Sequence, residues 1–214
     1  MTFEARGLAR ELGGRVLYRD LDFRLEEGRT LVVRGPSGSG KTQLLRQLGD
    51  LDSGARSELR QEGSLAWGGR SPEEWGGCGW RAEVCCVPQV VPSLTGTPAE
   101  FERRIAGFRA QRGREAGDPR ALAQGLGLGT AAWEQSWGEL SVGERQRLLL
   151  AVLLSRGPGV LLLDEPTAAL DEESTERVEA LLKGRTCVWV THSTAQAERV
   201  ADAMIRLEGR NDAD

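Results

Sequence analysis

The pattern of apolar and polar residues predicts alternating helices and strands in the second half of the chain. The run at 160–163 is apolar at every position, which is typical of a strand covered on both faces. Around it the pattern predicts helices at 143–155, 174–182 and 194–201 and further strands at 187–190 and 203–207. Strands that alternate with helices favour an α/β fold with a mainly parallel sheet.

The beginning of the chain predicts a different kind of sheet. Two strand-like patterns at 3–9 and 21–25 are joined through a Gly-Gly turn, and Gly28 then leads into an apolar run at 31–33. Short strands with a glycine turn, placed ahead of a parallel core, favour an antiparallel edge subdomain.

The middle of the chain carries the weakest pattern. Residues 52–80 contain many glycines and three tryptophans, which predicts loops with one short strand at 64–67. A buried strand is expected at 84–87. The polar, helix-prone segments that follow are interrupted by glycines. They predict a helical subdomain at about 92–145, inserted into a single domain that spans 1–214.

Length and composition limit the functional classes. The 214 residues carry a formal net charge of −4 and a pI near 5.3, which gives no general reason to expect nucleic-acid binding. The longest apolar run, 148–154, is too short to cross a bilayer, and no apolar signal segment is seen, so we expect a cytoplasmic protein. The four cysteines show no CxxC spacing, so we expect reduced thiols rather than a metal site.

A glycine-rich segment after the run at 31–33 carries the clearest chemistry. It fits a phosphate-binding P-loop, with the residues Gly35, Pro36, Ser37, Gly38, Ser39, Gly40, Lys41 and Thr42. Backbone N–H groups of such a turn converge on phosphate oxygens, and the following helix adds a positive end. We expect Lys41 between the outer phosphates of a nucleoside triphosphate and the Thr42 hydroxyl on Mg²⁺. Among the 28 basic residues, only Lys41 and Lys183 are lysine. The chain therefore has the compact charge of an ammonium group in this segment, although its other basic residues are almost all arginine.

Two carboxylates follow directly on the predicted strand at 160–163. Ligands bind at the carboxyl ends of parallel strands, so Asp164 can hold Mg²⁺ through its water shell. Glu165 can polarise the water that attacks the terminal phosphate.

Several further segments resemble the ATP-binding subunits of ABC transporters, and the likeness covers nearly the whole chain. Residues 140–146, Leu-Ser-Val-Gly-Glu-Arg-Gln, resemble the signature motif of that family. Gln89 matches its Q-loop glutamine, residues 168–171 its D-loop, and His192 its switch histidine. The resemblance implies a RecA-like P-loop NTPase fold, in which a mainly parallel sheet carries an antiparallel edge subdomain and an inserted helical subdomain.

The resemblance also implies a role for each matching position. Ser141 and Gly143 are implied to face the ATP of the opposite subunit, so that two identical chains sandwich two ATP molecules. Asp171 is implied to lie at the dimer seam. His192 is implied to contact the γ-phosphate, and Gln89 to reach Mg²⁺ and the attacking water.

Two positions depart from the family pattern. Val142 stands where the signature usually has its first glycine, but Gly143, whose amide approaches phosphate, is present, so we expect function to survive. The register of the adenine-stacking aromatic falls on Leu12, and Tyr18, the only tyrosine, lies six residues later. The sequence leaves two roles open for Tyr18, stacking on the adenine base and packing within the edge sheet. Weak discrimination among nucleotide bases is expected in either case.

The resemblance implies that the chain drives a separate transmembrane permease from the cytoplasmic face of a membrane. We expect the permease to contact the helical subdomain and the loop after Gln89. Short length resembles small export-type subunits, such as iron-export and haem-exporter ATPases, so metal export is one expectation. A soluble ABC-type ATPase acting on nucleic acid or ribosomes is the alternative, although no heptads and a single motif set are present. A small-molecule P-loop kinase does not account for residues 141–146.

Overall fold

The computed structural model describes residues 1–52 and 59–208. The chain divides into two compact units. The first unit comprises Met1–Cys86, Gly159–Asp164 and Gly184–Asp214, and the second comprises Val87–Pro158 and Glu165–Lys183. Among the described residues, no helix is long and apolar enough to cross a membrane.

An antiparallel sheet opens the first unit. Its strands, in spatial order, are β2 (Arg15–Glu26), β1 (Thr2–Leu12) and β4 (Leu59–Trp67). The pairing of β1 shifts register on both of its sides, between Ala5 and Glu11 toward β2 and between Arg6 and Ala9 toward β4. Gly63 makes this irregularity possible, because a Cβ at that position would lie 2.7 Å from the carbonyl oxygen of Arg6.

A parallel sheet forms the other layer of the first unit. Its strands, in spatial order, are β5 (Val84–Val87), β6 (Val160–Asp164), β7 (Cys187–Val190), β3 (Thr30–Arg34) and β8 (Ala203–Arg206). The pairs β6–β7, β7–β3 and β3–β8 are parallel. Every residue of β6 and β7 is buried, which is why their sequences are apolar without alternation.

Helix α1 (Lys41–Leu48) packs against both sheets of the first unit. Leu44, Leu45 and Leu48 lie on one face and are each at most 1% exposed. They share a core with Leu8 of the antiparallel sheet and Leu162 of the parallel sheet. The start of α1 is therefore held by apolar contacts from two directions. The first unit also contains helices α2 (Pro72–Trp75), α3 (Gly77–Glu83) and α8 (Thr194–Val200).

A buried polar network adds to this packing. The Arg10 side chain is 1% exposed and its guanidinium donates to Oε1 of Gln43 (2.8 Å) and to the Asp52 carboxylate. Arg46 Nε donates to the same carboxylate over 3.1 Å. Burial of Asp52 opposes its ionisation, but hydrogen bonds from Arg46 and Arg10 outweigh this effect and hold the pKa of the carboxyl below its usual value. The network thus ties β1 to α1.

Helices make up the second unit. They are α4 (Pro98–Ala106), α5 (Pro119–Gly125), α6 (Val142–Ser155) and α7 (Glu172–Leu182), with 3₁₀ helices at Arg109–Gln111 and Thr130–Trp133. A polar side chain caps the start of each α-helix: Thr97, Asp118, Ser141 and Asp171. Phe101 and Trp137 pack edge to face, with ring centroids 5.7 Å apart.

The predicted fold class is confirmed, with differences in individual elements. The strands predicted at 3–9, 21–25 and 64–67 are longer, because the antiparallel ladder continues through polar residues. Helices α2 and α3 lie in a stretch predicted as loops, where Ser71 and Glu74 form a reciprocal cap that starts α2. Residues 53–58 of that stretch lie outside the described residues.

We expect Asp52→Asn to lower the free energy of unfolding by about 3 kcal/mol at pH 7, because the buried Arg10 loses its counter-ion. Urea unfolding measures this difference. The carboxyl has a lowered pKa in the fold, so its contribution is present above about pH 4 and is lost as pH falls through that lowered pKa.

The matched control is Glu27→Gln, which breaks an exposed pair with the N-terminus and should change the free energy by less than about 1 kcal/mol. Equal unfolding midpoints for the Asp52 and Glu27 variants at pH 7 would show that the network contributes little.

Candidate functional site

The P-loop connects β3 to α1 and begins at a position where only glycine fits. A Cβ on Gly35 would lie 2.4 Å from the Leu207 carbonyl oxygen and 2.7 Å from Oγ of Ser39. Gly40 stands at the N-cap of α1 with φ 95°, a left-handed conformation that glycine adopts without strain. Gly40 offers no capping side chain, so no side-chain oxygen competes with a ligand for the N–H groups of the first helical turn.

Two polar groups of the loop have the chemistry of a phosphate cradle. Lys41 is 6% exposed, and its Nζ donates to the carbonyl oxygens of Gly35 (2.9 Å) and Pro36 (2.8 Å). The Ser39 hydroxyl is buried and has no hydrogen-bond partner in the described part of the chain. A buried ammonium and an unmet hydroxyl donor in a glycine-rich turn at the start of a helix fit a polyphosphate.

Thr42 and Asp164 meet at the carboxyl end of β6. The Thr42 hydroxyl donates to Oδ2 of Asp164 over 2.8 Å, and the Asp164 residue is 6% exposed. Hydroxyl and carboxylate oxygens are hard ligands of the kind Mg²⁺ prefers, so this pair fits a magnesium ion beside the P-loop. The sequence predicted Thr42, Asp164 and Gln89 as magnesium ligands, and the contact described here joins the first two.

His192 lies two residues after the end of β7 and is exposed to solvent. It lines a pocket of about 290 Å³ together with Gly35, Arg34 and Arg206. The loop around it is fixed by Thr191, whose hydroxyl donates to Gln196 Oε1 (2.8 Å). The first unit thus brings His192 to the start of the P-loop, and it adds two arginines that the sequence had not singled out.

The second unit carries the signature residues at the start of α6. Ser141 is the N-cap: its Oγ accepts from the Glu144 N–H (3.3 Å), and its N–H donates to Oε2 of Glu144 (2.8 Å). The hydrogen bond from Ser141 lowers the pKa of the Glu144 carboxyl. The Ser141 side chain also hydrogen-bonds the Glu144 carboxyl, so a ligand of this hydroxyl would replace a contact within the cap.

Three other predicted site residues belong to the second unit. Gln89 is exposed on a bend after β5. Glu165 follows β6 with φ 48°, a conformation uncommon for a non-glycine residue and enriched at functional sites. Asp171 Oδ1 accepts from the Ser174 N–H (2.8 Å), and hydrogen bonds from the side chain and the backbone of Ser174 lower the pKa of the Asp171 carboxyl. The roles predicted for these three residues stay predictions.

Tyr18 is built into the sheet rather than presented to solvent. It is 8% exposed and its hydroxyl donates to Oε1 of Gln47 over 2.8 Å. Burial raises the pKa of this phenol. These contacts favour the packing role over base stacking. The neighbouring Leu17 approaches the P-loop more closely, at 3.1 Å from a Cβ built on Gly40. An apolar strand residue gives no sequence signal for such a position.

The fold and the P-loop together define a P-loop nucleotide-binding protein. A family model described as ABC transporter matches residues 18–168. Protein STAR1 of Oryza sativa subsp. japonica is 35% identical over 94% of the chain, which spans 59% of STAR1. A taurine import ATP-binding protein, TauB, of Pseudomonas aeruginosa (strain UCBPP-PA14) is 37% identical over 98% of the chain and 79% of TauB. The chain belongs to the ABC transporter family, among its ATP-binding, ATP-hydrolysing subunits.

A solved structure supports the fold. The dimeric post-hydrolysis state of the ATP-binding cassette MJ0796 bound to ADP and Pi aligns with a TM-score of 0.76 at 24% identity. The alignment covers 98% of this chain and 97% of that one. At this identity the likeness concerns the fold alone.

We expect Lys41→Ala to lower ATP turnover by about 100-fold or more, because the cation that faces the outer phosphates is lost. Phosphate release measures turnover, and a fluorescent ATP analogue measures binding. Lys183→Ala is the matched control, since it removes the other lysine, which is exposed at the end of α7, and should leave both quantities unchanged. Normal hydrolysis by the Lys41 variant would show that the P-loop assignment is wrong.

Proposed function

We propose that the chain binds ATP with Mg²⁺ and hydrolyses it to drive a separate membrane permease. The observation that carries this proposal is the hydrogen bond between Thr42 and Asp164, which sets two oxygen ligands beside Lys41. Magnesium-assisted phosphoryl transfer requires a cation for the phosphates and oxygen ligands for the metal. Lys41, Thr42 and Asp164 offer these groups together at the end of a strand.

Each predicted site residue has a separate role in the proposed chemistry. Lys41 and the N–H groups at the start of α1 hold the phosphates, and bound Mg²⁺ supplies Lewis-acid stabilisation of the developing charge. Glu165 accepts a proton from the attacking water. His192 contacts the γ-phosphate from the side of β7, and Gln89 orients the water and adds a magnesium ligand. The pocket shared by His192 and Gly35 supports the assigned position of the histidine.

A second copy of the chain completes the site. Ser141 and Gly143 bind the γ-phosphate of the ATP held by the opposite copy, so ATP joins two chains and hydrolysis releases them. The exposed position of Ser141 at the start of α6 supports this role. Asp171 lies at the seam between the copies. MJ0796, a structural neighbour, has been solved as a dimer bound to ADP and Pi.

The permease docks on the second unit, at the cytoplasmic face of a membrane. Val90 follows Gln89 and is 77% exposed, and Phe108 is 55% exposed, so two large apolar side chains stand in solvent where a partner can cover them. The names of relatives, such as the taurine import protein TauB, favour import over the metal export that the sequence suggested. Substrate recognition then belongs to the permease.

We expect Glu165→Gln to bind ATP but to hydrolyse it about 100-fold more slowly, because an amide cannot accept the proton of the attacking water. Dimers should then accumulate with ATP and be seen by size-exclusion chromatography. Glu176→Gln, an exposed change on α7, is the control and should behave as the unmodified chain does. A Glu165 variant that stays monomeric and fully active would exclude both the base and the ATP-dependent dimer.

A further inference from the structure

Arg147 connects three separate segments of the second unit. It lies one turn after Gly143 on α6 and is half-buried. Its Nη1 donates to the Leu126 carbonyl oxygen (2.9 Å) and to Oγ of Ser174 (3.0 Å), and its Nε donates to the Gly143 carbonyl oxygen (3.3 Å). One guanidinium therefore joins the end of α5, the start of α6 and the start of α7.

The acceptors of Arg147 are close to the two segments that the dimer model places at the seam. Gly143 belongs to the signature segment. Ser174 is 7% exposed and its N–H is bound by Asp171, so the hydroxyl held by Arg147 sits on the same residue that Asp171 caps. Arg147 consequently links the phosphate-binding tip of α6 to the segment that ends in Asp171.

Direct packing reinforces this link. A Cβ built on Gly143 would lie 3.1 Å from Cδ2 of Leu170 and 3.3 Å from the Ala169 carbonyl oxygen. A side chain at Gly143 would therefore need residues 169–170 to shift by a few tenths of an ångström, so glycine favours their close approach. Hydrogen bonds from Ser174 lower the pKa of Asp171, and the charges of Arg147 and Arg177 act in the same direction.

We infer that Arg147 is a positioning residue that holds the signature tip and the Asp171 segment as one rigid surface. The opposite copy then meets both segments in a fixed geometry, and less conformational entropy is lost when the dimer closes. The inference rests on the proposed function, since it concerns the surface that completes the partner's ATP site. Arginine suits the task because its planar fork reaches several acceptors at once.

The position of Arg147 predicts different effects on two measurable quantities, the affinity of one copy for ATP and the strength of ATP-dependent dimerisation. Its three acceptors all belong to the second unit, whereas the P-loop belongs to the first. Loss of the link should leave the affinity of a single copy for ATP unchanged. It should weaken ATP-dependent dimerisation by about tenfold or more, as expected for the loss of a hydrogen bond to a charged donor.

The test uses the Glu165→Gln chain, in which ATP-bound dimers accumulate. Ser174→Ala removes one acceptor, Arg147→Met removes the donor, and a third chain carries both changes. Sedimentation measures the dimer dissociation constant with ATP, and a fluorescent ATP analogue measures nucleotide affinity at concentrations where the chain is monomeric. We expect each single change to weaken dimerisation, the double change to be no worse than Arg147→Met alone, and nucleotide affinity to stay constant.

Arg103→Met on α4 is the matched control, since Arg103 is exposed and its Nε donates only within its own helix, to the Ala99 carbonyl oxygen. Unchanged dimerisation of the Ser174 and Arg147 variants, or strictly additive effects, would overturn the inference while the parent dimer stands. A parent that forms no dimer with ATP would overturn the proposed function and this inference with it. If Arg147→Met lowers nucleotide affinity by misfolding, the Ser174 variant alone decides.

Discussion

The hydrogen bond between Thr42 and Asp164 is the contact on which the functional architecture depends. It joins the first turn of α1 to the last residue of β6, 122 positions apart in sequence. If the two side chains bind one cation, as we propose, their oxygens have to be held to within a fraction of an ångström. The buried strands of the parallel sheet supply that rigidity, because β6 is covered at every residue.

The site also requires that helix α1 be anchored, because the glycine-rich P-loop has few side chains with which to pack. Three leucines fix the helix through a core shared by both sheets, and Arg10 fixes it through Gln43 and the Asp52 carboxylate. The antiparallel sheet therefore has a role in placing helix α1. It supports the back of the helix whose front carries Lys41.

Sequence reasoning succeeded where one physical signal dominated. The bounds of β5 and β7 match the prediction because uninterrupted apolar runs have sharp ends. The antiparallel strands were underestimated, since ladder hydrogen bonds continue through exposed polar residues that carry no periodic signal. The meeting of Thr42 with Asp164 could be anticipated from strand-end chemistry. The links made by Arg147 could not, because two of its three acceptors are backbone carbonyls, which every residue possesses.

Arginine and lysine occupy different kinds of position in this chain. Arginine occupies positions such as Arg10 and Arg147, where a planar fork must satisfy several fixed acceptors in a protein interior. Lys41 instead rests on two carbonyl oxygens of its own loop. We expect a compact ammonium on a flexible stem to exchange these acceptors for phosphate oxygens when a nucleotide binds. The planar fork of an arginine is less suited to this exchange, which agrees with the presence of lysine at this position of an otherwise arginine-rich chain.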